Sequence, residues 1–236
     1  MTQTRFALIL AHGQPSDPDP AEADLSRLTA AVAALMPGWR LGSATLAAPG
    51  ALERALAHLE SPLVLPFFMA EGWFTRTALP ERLAAAGAPG LTRLPAFGTM
   101  KATADLAIRA ARMAILGREW RIAETVLVLA AHGSGRSRAP AAAAERIADA
   151  VRAALAFREV RLGFIEEEPS LQSVAADVGD RAICLPLFVA RWGHVLTDIP
   201  EALTGAGFPG PCLAPLGARP EVPAIIAAAL REAAAE

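Results

Sequence analysis

Residues 125–133 read TVLVLAAHG, and residues 6–13 read FALILAHG. In both stretches, an aliphatic run typical of a buried parallel strand ends in a His-Gly pair. His132 follows His12 by 120 residues, and other landmarks recur at the same offset. These landmarks are LPFF at Leu65 against LPLF at Leu185, Pro80-Glu81 against Pro200-Glu201, and Pro49 against Pro169. A shared offset without insertions predicts that one unit has been duplicated and fused.

Each half alternates short aliphatic runs with longer stretches of helical periodicity, which is typical of parallel βαβ construction. We therefore predict an α/β fold of two tandem duplicated domains, residues 1–117 and 118–236, each a small parallel sheet flanked by helices, with a cleft between them. The charged segment 117–124 is expected to connect them. The predicted strands cover residues 6–11, 41–46, 63–68 and 91–94 in the first half and 125–130, 160–165, 182–188 and 212–213 in the second.

The composition excludes several classes of partner. The 22 basic and 24 acidic residues give a formal net charge of −2, so we expect no general attraction to nucleic acid or to an anionic membrane. Apolar residues make up 53% of the chain, yet uninterrupted runs such as residues 63–70 fall far short of the roughly 20 residues that a spanning helix needs. The first residues show no secretory signal pattern.

The two cysteines, Cys184 and Cys212, have no C-x-x-C spacing. We interpret both as buried thiols of a protein in a reducing compartment, which predicts a cytoplasmic location.

Polar side chains follow three successive predicted strands of the second half. His132 follows the first strand, and His194 lies in the loop RWGH after the third. Between them, the second strand ends in Glu166, Glu167 and Glu168. Parallel sheets bind ligands at the carboxyl ends of their strands, so these groups are expected to share one edge. Two imidazoles and a carboxylate with vacant positions suit a divalent cation such as cobalt, iron, nickel or zinc.

The first half lacks this set. At the same offset it carries His12, then Leu46, Ala47 and Ala48, and then Phe74. Of these polar groups, the first half has only the histidine of the His-Gly turn. We therefore expect His12 to be a structural relic of the duplicated turn. The metal chemistry is therefore predicted for the second half.

At these residues the chain resembles the sirohydrochlorin chelatase family, the ATP-independent cobalt and iron chelatases of cobalamin and siroheme synthesis. The matching segments are LVLAAHGSGRSRAP at residues 127–140, GFIEEEPSL at 163–171 and ICLPLFVARWGHVLTDIPEAL at 183–203. The resemblance covers the whole second half, and the first half is similar to the degenerate copy found in two-domain members.

The resemblance implies that His132 and His194 bind the metal and act in catalysis together with Glu166, the acidic partner after the second strand. This chain has one residue fewer between that glutamate and the following proline than the commoner pattern. Glu167 or Glu168 therefore remain alternatives, and Glu166 is preferred because it follows Phe-Ile.

An extra residue, Gly135, in the loop after His132 shifts the family's usual arginine position to Arg136 or Arg138. Because sirohydrochlorin is rich in carboxylates, the resemblance makes Arg136, Arg138 and Arg191 candidate substrate-binding residues. The alternative for each is a solvated surface side chain.

The resemblance implies a lyase that inserts Co²⁺, or alternatively Fe²⁺, into sirohydrochlorin in cobalamin or siroheme biosynthesis. The expected partners are the tetrapyrrole and the metal ion, both as substrates, with no permanently bound cofactor. The chain is expected to be a monomer or a homodimer.

Three other functions remain as alternatives. A tetrapyrrole or metal carrier would bind through the same residues without inserting the metal. A metal-dependent hydrolase would use the same His, His, Glu set to activate a water. A dinucleotide-binding enzyme would carry the fingerprint G-x-G-x-x-G. This function is disfavoured, because Gly133 and Gly135 match the first two glycines but Arg138 stands at the position of the third.

Asp198 is interpreted as a helix N-cap, with Glu201 at the capping-box position.

Overall fold

The computed structural model describes residues 4–235. The first half of the chain contains, in order, β1 (Arg5–Ala11), α1 (Pro18–Ala34), β2 (Trp39–Thr45), α2 (Ala51–Leu56), β3 (Leu63–Pro66), a π-helical turn (Phe74–Ala78), α3 (Leu79–Ala85) and α4 (Lys101–Leu116). The second half contains β4 (Val126–Ala131), α5 (Ala139–Ala154), β5 (Glu159–Phe164), α6 (Leu171–Ala175), β6 (Ala182–Pro186), α7 (Gly193–Leu196), α8 (Asp198–Gly205) and α9 (Val222–Ala233). The predicted α/β fold with two small parallel sheets is confirmed.

The first compact unit comprises the residues up to Phe97 and those from Pro220 onward. Its three strands are parallel, in the order β2-β1-β3. Successive side chains of a strand point to opposite faces of a sheet, and the two faces of β1 are both buried. Leu8 and Leu10 pack in a core with residues of α2 and α3, such as Leu52 and Leu83. The other helices of this unit, α1 and α9, pack against each other.

The second compact unit comprises residues 98–219 and repeats this arrangement, with parallel strands in the order β5-β4-β6. Val126 and Val128 of β4 pack in a core with Leu171 of α6 and Ile199 of α8. The helix α5 contacts β4 and β5, and α4 packs on α5. Both sheets are therefore flanked by helices, as the sequence predicts.

The last helix of each half packs in the unit built mainly by the other half. α4 belongs to the second unit and α9 to the first, so the chain crosses between units near residues 97 and 219. Both helices are held by burial, since Leu106 of α4 and Leu230 of α9 are fully buried. The segment 117–124 thus lies inside the second unit and does not connect the units.

The predicted limits 1–117 and 118–236 refer to the duplicated sequence, whereas the compact units have different limits because of this exchange. As a statement about the duplication, they stay a prediction.

The strand registers correct the uniform offset of 120 residues. Ala11 pairs with Thr45 in the first unit, and the equivalent Ala131 pairs with Phe164 in the second. Because Phe164 lies 119 residues after Thr45, the second copy is one residue shorter between its first two strands. Residues of β5 and of the loop after it must therefore be compared at this shorter offset.

The expected fourth strands at residues 91–94 and 212–213 are wrong. Each segment forms a single parallel bridge to the neighbouring strand instead of a ladder. Pro95 follows the first bridge, and Pro211 and Pro215 flank the second. Proline has no N–H to donate, so strand pairing stops beside it.

Cys184 is buried within β6, as expected, whereas Cys212 is exposed. The expectation that Cys212 is a buried thiol is therefore wrong. It lies on one of these short segments at the margin of the sheet, where no further strand covers it among the described residues.

No helix among residues 4–235 has both the length and the apolar character needed to span a membrane.

The exchange of α4 can be tested with two leucines of that helix. Leu106 is fully buried, and Leu116 is 64% exposed. We expect Leu106→Ala to lower the free energy of unfolding by about 2–5 kcal/mol, because it leaves a cavity, and Leu116→Ala to lower it by less than about 0.5 kcal/mol. In hydrogen-exchange mass spectrometry, Leu106→Ala should increase exchange more in β4–β6 than in β1–β3. A larger increase in β1–β3 would contradict the packing of α4 in the second unit.

Candidate metal centre

The loops after β4, β5 and β6 are brought to one edge of the second sheet by backbone hydrogen bonds. The N–H of Glu166 donates to the carbonyl of His132 at 2.9 Å, which extends the pairing of β4 and β5 beyond their last residues. On the other side, the N–H of Leu187 donates to the carbonyl of Ala130 at 2.7 Å. The side chains that follow the three strands are therefore neighbours, as the sequence predicts.

The exposed imidazole of His132 is oriented by the backbone of the next residue. Its Nδ1 lies 2.9 Å from the carbonyl oxygen of Gly133. A carbonyl can only accept a hydrogen bond, so Nδ1 is the protonated nitrogen. In the neutral ring, Nε2 then keeps its lone pair.

The imidazole of His194 has the same tautomer for a different reason. Its Nδ1 donates to Oδ2 of Asp198 at 3.0 Å, four residues further along the chain. A carboxylate that accepts from a histidine fixes the ring of many metal-binding histidines in this way. The Nε2 of His194 is therefore also left as a lone-pair donor toward a cation.

These two Nε2 atoms face each other at 3.1 Å. The rings are nearly perpendicular, with an interplanar angle of 86° and centroids 4.6 Å apart. Two nitrogens that both present lone pairs at this distance repel unless a cation lies between them. Both can reach one ion at about 2.0–2.1 Å, the usual length of a zinc–imidazole bond. The arrangement is thus suited to a metal ion.

Glu166 completes the group. One carboxylate oxygen of Glu166 and one nitrogen each of His132 and His194 all lie within 4.8 Å of one another. Among residues 4–235, no second group of three such side chains meets in this way. The structure therefore brings together the three residues that the sequence singled out.

The structure also separates the three adjacent glutamates. The carboxylate of Glu168 accepts a hydrogen bond from the N–H of Ser170 at 2.8 Å. In Glu167, Oε1 is buried without a hydrogen-bond partner among the described residues. Its side chain packs against Gly133. Of the three, Glu166 is the one placed beside both imidazoles.

Gly133 is required at its position for two reasons. Its φ of +73° is in the left-handed region, which disfavours residues with a Cβ. A Cβ there would also lie 2.8 Å from Cγ of Glu167 and 2.9 Å from Cβ of Phe164. The His-Gly pair therefore allows the glutamate loop to approach β4 closely.

The three candidate arginines differ in their surroundings. Arg138 donates to both carboxylate oxygens of Glu145, at 3.0 and 3.1 Å. Arg136 and Arg191 are exposed. The pKa of the Cys212 thiol is lowered mainly by a hydrogen bond from Cys184, against the effect of partial burial, and the charge of Arg191 lowers it as well.

The first unit has the same backbone arrangement with different side chains. The N–H of Ala47 donates to the carbonyl of His12 at 2.9 Å, so Ala47 is the counterpart of Glu166. Phe74 stands at the position of His194 and contacts the ring of His12 edge-on, with centroids 4.3 Å apart. The first unit therefore keeps the histidine of the His-Gly turn, but an aromatic ring lies where the second unit has its second imidazole.

The interpretation of Asp198 as an N-cap is wrong. α8 begins at Asp198 after Thr197, and no side chain caps it. The carboxylate bonds to His194 instead, and the role of Glu201 in a capping box therefore fails as well. The signal in the sequence was the spacing of four residues between His194 and Asp198, which places two side chains on the same side of a helical turn.

A family model for CbiX matches residues 126–233. A solved structure, described as CbiX, the terminal enzyme for the biosynthesis of siroheme in denitrifying bacteria, is 47% identical to this chain. The alignment covers 97% of this chain and 99% of that one, with a TM-score of 0.90. The chain belongs to the CbiX family. The resemblance to the sirohydrochlorin chelatase family is thereby confirmed.

Two structures of SirB, from Bacillus subtilis with Fe³⁺ and from its subspecies spizizenii in complex with cobalt, share the fold of this CbiX-family protein. Their sequences are 15% and 14% identical to this chain, and their TM-scores are 0.76 and 0.72. Both alignments cover 99% of this chain and 96% of the SirB chain. No match was found among curated protein sequences.

The geometry predicts which glutamate binds metal in this CbiX-family protein. We expect Glu166→Ala to weaken Co²⁺ binding at least about tenfold, since it removes a ligand. Glu168→Ala is the matched control and should leave the affinity unchanged, because Glu168 bonds to a backbone N–H. Isothermal titration calorimetry measures both. Equal losses in the two variants would exclude the assignment.

Asp198 is expected to act through His194. Asp198→Ala should lower the Co²⁺ affinity by about 10–100-fold, the usual effect of removing a carboxylate that orients a histidine ligand. Asp198→Asn, which can still accept a hydrogen bond, should recover part of the loss. Glu201→Ala, in the first turn of the same helix, serves as the control. If the Asp198 variants bind Co²⁺ as tightly as the control, the orientation of His194 does not depend on this carboxylate.

Proposed function

We propose that this protein is a chelatase that inserts a divalent metal ion into sirohydrochlorin. The observation that carries the proposal is the pair of Nε2 atoms of His132 and His194, which face each other at 3.1 Å with both Nδ1 atoms engaged as donors. The description of the 47% identical relative as a siroheme biosynthesis enzyme supports the same reaction. His132, His194 and Glu166 are proposed both as metal ligands and as catalytic residues.

An insertion reaction needs a site that holds the metal without enclosing it. His132 and Glu166 are exposed and His194 is half-buried, so an ion held by them keeps an open side toward a macrocycle. Neutral imidazoles add no charge, and one carboxylate balances half of the charge of a divalent ion. Three ligands of this kind leave coordination positions vacant for the incoming pyrrole nitrogens.

Insertion replaces two pyrrole protons by one divalent ion. When the ion leaves, the lone pairs of His132 and His194 again face each other, and a proton shared between them relieves the repulsion. The carboxylate of Glu166 is a second acceptor within reach. The three side chains that release the metal are therefore also placed to take up the protons.

The acidic substituents of the macrocycle require cationic partners. We propose Arg136 and Arg191 for this role, since both are exposed and guanidinium groups pair well with carboxylates. Arg138 stays a candidate, although it would have to exchange its pairing with Glu145 for one with the substrate.

For the metal we propose Co²⁺ and Fe²⁺, in that order. Imidazole and carboxylate ligands accept both ions, and selection in cells depends on geometry and supply as well as on affinity. The metal is a substrate, and no resident cofactor is proposed. The two SirB structures are described with Fe³⁺ and with cobalt, so both metals belong in the assay.

The reaction is tested by mixing the purified protein with sirohydrochlorin and either Co²⁺ or Fe²⁺ without oxygen, and by following the visible spectrum. We expect metal insertion faster than the spontaneous reaction. Binding of both substrates with no increase in rate would identify a carrier instead, and absence of tetrapyrrole binding would exclude both functions.

The duplication supplies a matched control for catalysis. We expect His132→Ala to reduce the insertion rate by about 10²–10⁴-fold, the usual contribution of a positioned acid–base group. His12→Ala changes the same residue in the equivalent turn of the first unit and should leave the rate close to that of the unchanged protein. Equal losses would mean that the two copies both take part in the chemistry.

A further inference from the structure

Cys184 and Cys212 are direct partners in the second unit. They form a single parallel bridge, in which the N–H of Cys184 donates to the carbonyl of Pro211 at 3.0 Å and the N–H of Leu213 donates to the carbonyl of Cys184 at 2.8 Å. Hydrogen-bonded strands lie about 4.7–4.9 Å apart. A disulfide needs its two Cα atoms about 4.4–6.8 Å apart. The backbone therefore holds the two Cα atoms at a spacing that a disulfide allows.

The first unit shows that this bridge does not depend on cysteine. There, Val64 and Arg93 form the same parallel bridge. The N–H of Val64 donates to the carbonyl of Thr92, and the N–H of Leu94 donates to the carbonyl of Val64, both at 2.8 Å. The fold thus brings these two positions together with ordinary side chains. Thiols at both positions are a particular property of the second copy.

The two thiols differ in exposure and in acidity. Cys184 is fully buried in the core, whereas Cys212 is exposed. The hydrogen bond from the Cys184 thiol lowers the pKa of Cys212. Partial burial of Cys212 opposes this shift, and the charge of Arg191 adds to it. The same hydrogen bond, together with burial, raises the pKa of Cys184 well above its usual value. Cys212 is therefore the more accessible and the more acidic of the two thiols, and the thiolate is the reactive form of cysteine.

We propose that Cys212 and Cys184 are a redox-active pair, in which Cys212 reacts with hydrogen peroxide and Cys184 then closes a reversible disulfide. This site is separate from the proposed chelatase chemistry. The pair combines an accessible sulfur with a second sulfur held next to it, which is the arrangement found where a reactive cysteine has a resolving partner.

The reaction balances with peroxide as the oxidant. The thiolate of Cys212 attacks one peroxide oxygen, the O–O bond breaks, and Cys212 becomes a sulfenic acid while hydroxide leaves. The sulfur of Cys184 then attacks the sulfur of Cys212. The S–O bond breaks as the S–S bond forms, and the displaced oxygen leaves as water. Overall, two thiols lose two electrons and two protons, and one peroxide becomes two waters.

The proposal is tested on the full-length protein with hydrogen peroxide alone, in the absence of metal and tetrapyrrole. We expect the intact mass to fall by about 2 Da, the loss of two hydrogens, and to return to its original value with dithiothreitol. Peptide mapping without reductant should show the disulfide between residues 184 and 212. Because neither chelatase substrate is present, failure of this test leaves the proposed insertion reaction untouched.

Two variants separate the roles of the cysteines. In Cys184→Ala, oxidation should stop at a sulfenic acid on Cys212 that dimedone labels. In Cys212→Ser, Cys184 should stay unmodified under the same exposure, because it is buried. The proposal is overturned if the unchanged protein keeps both thiols at peroxide concentrations that oxidise a free cysteine peptide. It is also overturned if Cys212 proceeds to sulfinic acid with Cys184 still reduced, or if disulfides form only between two chains.

Discussion

The candidate metal centre depends on the opposition of two imidazole lone pairs. A backbone carbonyl fixes one ring and the carboxylate of Asp198 fixes the other, so both Nε2 atoms are presented to the same point. Neither ring can relieve the repulsion by turning without giving up its hydrogen bond through Nδ1. A cation relieves it directly, and the carboxylate of Glu166 is close enough to join. The edge of the second sheet is thereby arranged for metal before any metal arrives.

The duplication explains why this arrangement is present once among the described residues. Both copies keep the strand order, the His-Gly turn and the hydrogen bonds that extend the sheet edge. The first copy places Ala47 and Phe74 where the second has Glu166 and His194. The scaffold therefore tolerates loss of the proposed metal-binding side chains, which indicates that these side chains are present for chemistry and not for stability. The cysteine pair follows the same logic, since the first copy forms the same bridge without sulfur.

Much of the fold could be predicted from the sequence, because apolar runs such as residues 6–11 and 125–130 are long enough to specify buried strands. The exchange of α4 and α9 could not be predicted, because an apolar stripe on a helix does not specify which of two sheets the helix packs near. The two predicted fourth strands do not form, because the prolines beside them lack the N–H donors that a ladder of strand hydrogen bonds needs.

The proximity of His132, His194 and Glu166 could be predicted, because the carboxyl ends of the strands meet at one edge of a parallel sheet. Asp198 was missed because aspartate at a helix start is usually a cap, and a sequence does not reveal which of two acceptable partners a carboxylate bonds. The single-residue shift between the copies was also hidden, because landmarks on either side of β5 preserve the offset of 120. Strand register exposed it.

The proposed function requires that His132, His194 and Glu166 bind the metal substrate. X-ray absorption at the cobalt edge, on protein loaded with one equivalent of Co²⁺, identifies the ligands of the ion. We expect nitrogen and oxygen ligands at about 2.0–2.1 Å with the outer-shell scattering of two imidazoles, and the loss of one imidazole in His194→Ala. A spectrum with no imidazole contribution, or one that His194→Ala leaves unchanged, would contradict it.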